Sequence, residues 1–152
     1  MVSDNITYQV VLGNNDELLL KKLINIYSLI FEDADASFFI DRFKSHPKIV
    51  VLLALNKTEI VGFKIGYPYN ENTFYSWVGG ILPNFRQKRI ASALAEHQEQ
   101  VAKSQGFNKL RTKSMNRFKP MMILNLKNGF DIVQVYTNDS GQTKVVFEKT
   151  LL

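Results

Sequence analysis

The chain has 152 residues, 45% of them hydrophobic and 22% charged, with a formal net charge of +5, which suits one folded domain and excludes intrinsic disorder. It contains no cysteine, so a disulfide framework, thiolate metal sites and a cysteine nucleophile are excluded. No apolar run approaches the roughly 18 residues of a membrane span and the opening MVSDNITYQVVL lacks a secretory pattern, so a cytoplasmic protein without membrane attachment is expected.

Residues 6–11 alternate loosely and predict an opening strand. Asn14 and Asp16 stand where caps belong for a helix whose apolar residues Leu19, Leu20, Leu23, Ile24, Tyr27 and Ile30 recur at helical spacing, fading at Glu32 and Asp33. A second short helix is predicted over 37–44, stopped ahead of His46 and Pro47. Residues 49–55 are continuously apolar, as in a strand buried on both faces. A turn at 56–58 joins them to a strand at 59–67. The next strand, 73–82, is broken by Gly79 and Gly80, which implies a bulge or a close approach to the backbone. A long helix is predicted over 88–105, with an apolar face of Ile90, Ala93, Leu94, His97 and Val101 and a terminal cap at Gly106. A strand at 109–115, a short helix at 121–127, a strand at 130–136, a turn at 138–141 and a strand at 143–149 complete the chain. The order β-α-α-β-β-β-α-β-α-β-β describes a single mixed α/β domain over 1–152, with a central mixed sheet, a helix on each face and a terminal hairpin. An exposed strand in that hairpin offers a surface for a homodimer.

The segment with most chemical content is Ile81-Leu82-Pro83-Asn84-Phe85-Arg86-Gln87-Lys88-Arg89-Ile90-Ala91-Ser92-Ala93-Leu94. It leads from the glycine-broken strand through a basic turn into the amphipathic helix. The first N–H groups of a helix have no internal partners, and with the helix dipole they attract anions. Arg86, Lys88 and Arg89 around that end suit a phosphate or pyrophosphate. By residue chemistry alone a solvated basic loop is an equal reading.

The same segment resembles the signature of GNAT acetyltransferases, V-x-P-x-x-[RQ]-x-x-G-x-[GA]. Ile81 stands at the Val position, Pro83 at the Pro, Arg86 at the Arg/Gln and Ala91 at the final small residue. The order of elements is similar to that superfamily over nearly the whole chain, and Asn125-Leu126-Lys127-Asn128-Gly129-Phe130 is similar to its closing Y-x-x-x-G-F. The resemblance implies the acyl-CoA N-acyltransferase fold, with acetyl-CoA as acyl donor and no metal. It further implies an N-acetyltransferase that passes the acetyl group to a primary amine of a small molecule or peptide by direct attack. The backbones of Ile81 and Leu82 are implied to bond the pantetheine arm, the N–H groups of Gln87, Lys88, Arg89, Ile90, Ala91 and Ser92 to cradle the pyrophosphate with Arg86 alongside, and Asn116 to touch the cofactor arm.

Two positions depart from the family. Arg89 stands where the turn's first glycine is usual, and Asn125 stands where a tyrosine is thought to protonate the departing thiolate. An amide is no general acid at neutral pH, yet a thiol of pKa ~8.5 leaves as thiolate with modest help. The spacing from Asn116 to Gly129 also exceeds the family norm, with Phe118 at the strict position. Tyr75 falls where several relatives place a glutamate base, and Glu32 borders the acceptor side; both are candidates for proton removal, against packing and a solvated helix end respectively. His97 reads as a partly buried packing residue and His46 as a loop residue without chemistry. A catalytically weak acyl-CoA sensor or assembly module is the alternative that Arg89 and Asn125 permit. A nucleic-acid interface is not expected, because the basic residues form no RNP-like or helix-turn-helix pattern.

Overall fold

The computed structural model describes residues 5–151. The element order is the one read from the sequence, with two short 3-10 turns, Pro83–Phe85 and Asn116–Phe118, added. The chain packs into two compact units, one of residues up to Tyr67 with Val78–Gln98, the other of Pro68–Trp77 with residues from Glu99 onward.

The first unit is built on strands β1 (Ile6–Leu12), β2 (Val50–Asn56) and β3 (Glu59–Pro68), with β2 antiparallel to both its neighbours. Residues Val50 to Ala54 of β2 are all buried, the burial on both faces that a continuous apolar run requires. The β2–β3 turn passes through Lys57 at φ 58°, and a register shift at Ala54/Leu55 lies just ahead of it in β2. Helix α1 (Glu17–Ile30) starts at Asp16, whose carboxylate accepts the Leu19 N–H at 2.9 Å. Asn14, the other candidate cap, instead donates to the Lys44 carbonyl at 2.9 Å and so closes the far end of helix α2 (Ala36–Lys44). Asp35 caps the start of α2 by accepting from the Phe38 N–H. Leu19, Leu20, Leu23 and Ile26 of α1 and Phe39 and Phe43 of α2 enter the core. Phe38 is exposed beneath the Arg42 guanidinium.

The second unit holds β5 (Lys109–Met115), α4 (Lys119–Lys127), β6 (Asp131–Thr137) and β7 (Thr143–Thr150). The strand β4 (Thr73–Ile81) and the helix α3 (Ile90–Ser104) each begin in one unit and end in the other. Within the second unit Thr73, Phe74 and Tyr75 of β4 pair in parallel with Lys109, Leu110 and Arg111, and β7 runs antiparallel between β5 and β6. Its core is Phe74, Leu110, Val145, Val146, Phe147 and Leu151. Pro120 sits in the first turn of α4, where a missing N–H costs nothing, so the helix starts two residues ahead of the 121 expected from its apolar residues.

Gly79 and Gly80 allow close approach. A Cβ at Gly79 would lie 3.0 Å from the Phe63 carbonyl oxygen and 3.3 Å from Cγ of Lys64, and one at Gly80 would lie 3.1 Å from the Ile30 side chain. Successive strand residues face opposite ways, so this one dipeptide admits β3 on one side and the end of α1 on the other. The Lys64 stem occupies the space over Gly79, and burial pushes the Lys64 ammonium below the usual lysine range.

A base whose folded pKa lies below its unfolded value binds fewer protons when folded, so its stability cost is present at low pH and disappears as pH rises toward about 10.4. Lys64→Met is therefore expected to raise stability at pH 7 and to flatten the rise of stability with alkaline pH, measured by urea unfolding across that range. An equal slope in both proteins would assign the lysine no such cost.

Candidate functional site

The basic turn and the start of α3 form the most distinctive local structure of the first unit. The helix begins at Ile90, two residues later than the periodicity suggested, because the chain at 86–89 is not helical. Arg86 has φ −71°, Gln87 +63° and Arg89 +61°, while Lys88 is not in the left-handed region. Such alternation turns successive N–H groups toward one side and makes a concave nest for anions. A left-handed conformation costs an L-residue about 1–2 kcal/mol. Two such residues within three positions are a strain of the kind that gathers at ligand clamps.

The glycine of the family signature is thus replaced in type but not in conformation. Arg89 adopts the positive φ that glycine supplies freely. Its carbonyl accepts the first helical hydrogen bond, from Ala93 N–H at 3.1 Å. By helix geometry the N–H groups of Ile90, Ala91 and Ser92 then have no intrahelical acceptor. Ala91 and Ser92 are exposed, as are Arg86, Gln87, Lys88 and Arg89, whereas Ile90 is buried and anchors the turn. The Ile90 side chain reaches the space over Gly62, where Ile81 also packs. The Lys88 ammonium lies 5.4 Å from the centre of the Phe85 ring. The donor set is therefore three exposed cationic side chains around a bare helix end, and it fits a pyrophosphate.

Ile81 and Leu82 are partly engaged within the protein. Arg86 Nε donates to the Ile81 carbonyl at 3.1 Å, tying the arginine to the strand end. The Leu82 N–H donates to the Val61 carbonyl at 2.9 Å, and the Leu82 carbonyl accepts from Phe85 N–H. Leu82 N–H, implied to bond a cofactor arm, is thus taken by β3. A carbonyl keeps a second lone pair, so acceptor capacity remains at both residues. Glu32 is exposed in the turn after α1, past the Phe31 cap rather than on the helix.

The other candidates belong to the second unit. Tyr75 stands in register with Arg111, and its ring is 6.5 Å from that of Tyr69. Arg111 donates to Glu148 at 2.9 Å and lies over the Tyr69 ring, while Lys109 makes a 3.6 Å ion pair with the same carboxylate. Asn116 is exposed, and with Met115, Arg117, Gln142 and Thr143 it lines an open cavity of about 400 Å³. Its carbonyl accepts from Lys119 Nζ at 2.8 Å. Asn125 is the buried residue of α4, while Met121, Ile123 and Leu126 of the same helix are exposed.

Sequence reasoning missed Gln98. The buried stripe of α3 is Ile90, Leu94, Gln98 and Ala102, at strict fourfold spacing, and Gln98 is 1% exposed with no hydrogen-bond partner for Nε2 among the described residues. The i+4 spacing was a usable signal, but an apolar pattern passes over an amide. His97, beside it, packs against the Tyr8 ring at 5.0 Å. His46 stacks on Tyr67 with its ring nitrogen 2.8 Å from the Arg42 carbonyl, a packing role at the end of α2.

No curated protein matches the chain by sequence. Solved structures similar to it include a GNAT family acetyltransferase from Elizabethkingia anophelis with acetyl-CoA bound, 20% identical with a TM-score of 0.78, the match covering 98% of this chain and 100% of the other. An aminoglycoside 6'-N-acetyltransferase complexed with coenzyme A is 15% identical with a TM-score of 0.78, covering 95% and 97%. The ribosomal-protein-S18-alanine N-acetyltransferase of Escherichia coli is 11% identical with a TM-score of 0.78, covering 95% and 94%. These likenesses show the fold, a mixed α/β GNAT fold. The model of the acetyltransferase (GNAT) family matches residues 19–121, well over half of the sequence and including the whole basic turn, and the chain accordingly belongs to the GNAT acetyltransferase family.

Proposed function

We propose that this protein is an acetyl-CoA-dependent N-acetyltransferase acting on a primary amine of a small molecule or peptide in the cytoplasm. The observation that carries the reading is the 86–92 turn, with its paired left-handed residues and bare helix end. Gln87, Lys88, Arg89, Ile90, Ala91 and Ser92 supply the N–H cradle for the pyrophosphate, and Arg86 and Lys88 supply charge. Ile81 and Leu82 offer carbonyl acceptors to the pantetheine arm. The bound donor supplies an activated thioester, so no covalent intermediate on the protein is needed.

The acceptor must lose a proton before it attacks, since an alkylammonium has a pKa near 10.4. We assign the relay of that proton to Tyr75, whose hydroxyl oxygen takes it as its own O–H proton passes to water, with Glu32 as a second candidate for proton removal, acting through water. We assign Asn125 the role of an amide donor that steadies the departing thiolate, and Asn116 that of a side-chain contact to the cofactor arm. Neither asparagine moves a proton. The similar structures named above include an aminoglycoside 6'-N-acetyltransferase and a ribosomal-protein-S18-alanine N-acetyltransferase, so the fold suits either class of acceptor.

Calorimetry with acetyl-CoA tests the reading first: micromolar binding is expected, followed by thiol release with a suitable amine. Absence of binding at millimolar cofactor would overturn it. Ala91→Glu puts a carboxylate and added bulk on the phosphate cradle and is expected to weaken acetyl-CoA binding by about 100-fold, roughly 2.7 kcal/mol, with the melting temperature nearly unchanged. Arg89→Gly should alter stability by less than about 1 kcal/mol, because relief of the left-handed strain is offset by the backbone entropy of glycine. The same variant should bind acetyl-CoA roughly tenfold more weakly and with a shallower salt dependence; tighter binding would instead make Arg89 an obstruction. Tyr75→Phe is expected to lower turnover by about 100-fold at neutral pH, with the deficit shrinking as pH nears the amine's pKa. An unchanged pH–rate profile would return Tyr75 to sheet packing.

A further inference from the structure

Charge in the second unit is unevenly matched. Residues 100–130 contain no aspartate or glutamate, although lysine and arginine recur through them. The carboxylate of β7, Glu148, is already taken by Arg111 at 2.9 Å and Lys109 at 3.6 Å. Further along the same strands no counter-charge follows. Lys113 stands opposite the buried Val146, and Lys144 stands between Met115 on β5 and Tyr136 on β6. In that register Lys113 and Lys144 are diagonal neighbours on one face of the sheet, with backbones about 7–8 Å apart.

Neither ammonium has a carboxylate partner among the described residues. Lys113 Nζ donates to the Tyr136 hydroxyl at 3.0 Å, and Lys144 Nζ donates to the Met115 sulfur at 3.4 Å. A thioether is a weak acceptor, and neighbouring cations repel, so an anion shared by the two lysines supplies both an acceptor and the missing charge. Met115 also lines the open cavity of about 400 Å³, together with Asn116, Arg117 and Gln142, which puts the Lys144 ammonium at the cavity wall. Gln142 Oε1 accepts from Asn138 Nδ2 at 3.1 Å, and its own amide N–H groups have no partner among the described residues. Asp139, in the adjoining turn, is exposed and forms no ion pair among the described residues.

We propose that this cavity receives an oxyanion carried by the acceptor, a carboxylate or a phosphate held by Lys144 and Lys113 with the Gln142 amide, so that the preferred acceptors are amines bearing an acidic group. That the ligand is the acceptor rests on the acetyl-transfer reading, through Asn116, which lines the cavity and is assigned to the cofactor arm. Charge favours the same choice. A simple alkylammonium is repelled by the two lysines, whereas an amine that carries a carboxylate enters with no net charge.

Calorimetric titration of two matched pairs into the full chain tests this: γ-aminobutyrate against butylamine, and phosphoethanolamine against ethanolamine. The acidic member of each pair is expected to bind about tenfold more tightly or better, with the difference shrinking as salt is raised. Lys144→Gln is expected to remove about tenfold from the affinity of the acidic members and to leave the neutral ones unchanged, while Lys144→Arg keeps the preference. With acetyl-CoA present, thiol release should show the same preference in KM rather than in kcat. The titrations need no acetyl-CoA, so the anion site and the cofactor reading stand or fall separately. Equal binding within both pairs, no binding of any of the four at millimolar concentration, or thiol release that favours the neutral amines would overturn the proposal. So would acidic-amine binding that Ala91→Glu abolishes and Lys144→Gln does not, since that places the anion at the basic turn.

Discussion

The feature on which the first unit turns is the refusal of residues 86–89 to be helical. Two of them sit at positive φ, Gln87 and Arg89, at a conformational cost that the surrounding structure must meet. What holds them there is anchorage on both sides. Arg86 is tied to the Ile81 carbonyl, Leu82 to β3 through Val61, and Ile90 is buried beside Gly62. With both flanks fixed, the short span between them has little choice of path, and the helix is made to start with its first N–H groups bare.

The glycines serve the same end by a different route. Gly62 leaves space that Ile81 and Ile90 fill, and Gly79 and Gly80 let β3 and the end of α1 come within contact distance of the β4 backbone. A sheet at this spacing brings the strand end and the helix start into one fixed relation. Lys64 packs its stem against the same tight region, and partial desolvation there lowers its basicity.

In the second unit the polar residues are organised around Glu148, which holds both Arg111 and Lys109, with Tyr69 stacked under the guanidinium. Thr112 Oγ1 adds a hydrogen bond to the Ser76 carbonyl of β4, holding that strand to β5 next to Tyr75. Helix α4 inverts the usual arrangement, with an amide inside and Met121, Ile123 and Leu126 outside. The unit thus keeps its polar interior ordered and leaves apolar surface on its periphery.

Much of this was legible in the residues themselves. Element type and order follow from local hydrophobic period and turn chemistry, which are properties of neighbouring residues: the β5 span 109–115 and the family signature across 81–91 needed no knowledge of distant contacts. Boundaries at caps shifted by one to three residues, because capping depends on which side chain reaches which amide: Asp16 caps α1 while Asn14 turns away to Lys44. The positive φ of Arg89 was hidden, since residue type argued against it and only the anchored flanks impose it. Likewise, the engagement of the Leu82 N–H by Val61, the burial of Gln98, the lowered basicity of Lys64 and the exposure of β6 depend on partners far along the chain. The sequence by itself determined the family, the elements and the place of the basic turn, because these rest on short-range patterns. Tertiary structure alone decided which backbone groups remain free, which polar groups lose their water and which strand is left without a neighbour, because each of those is settled by packing between segments that no local pattern connects.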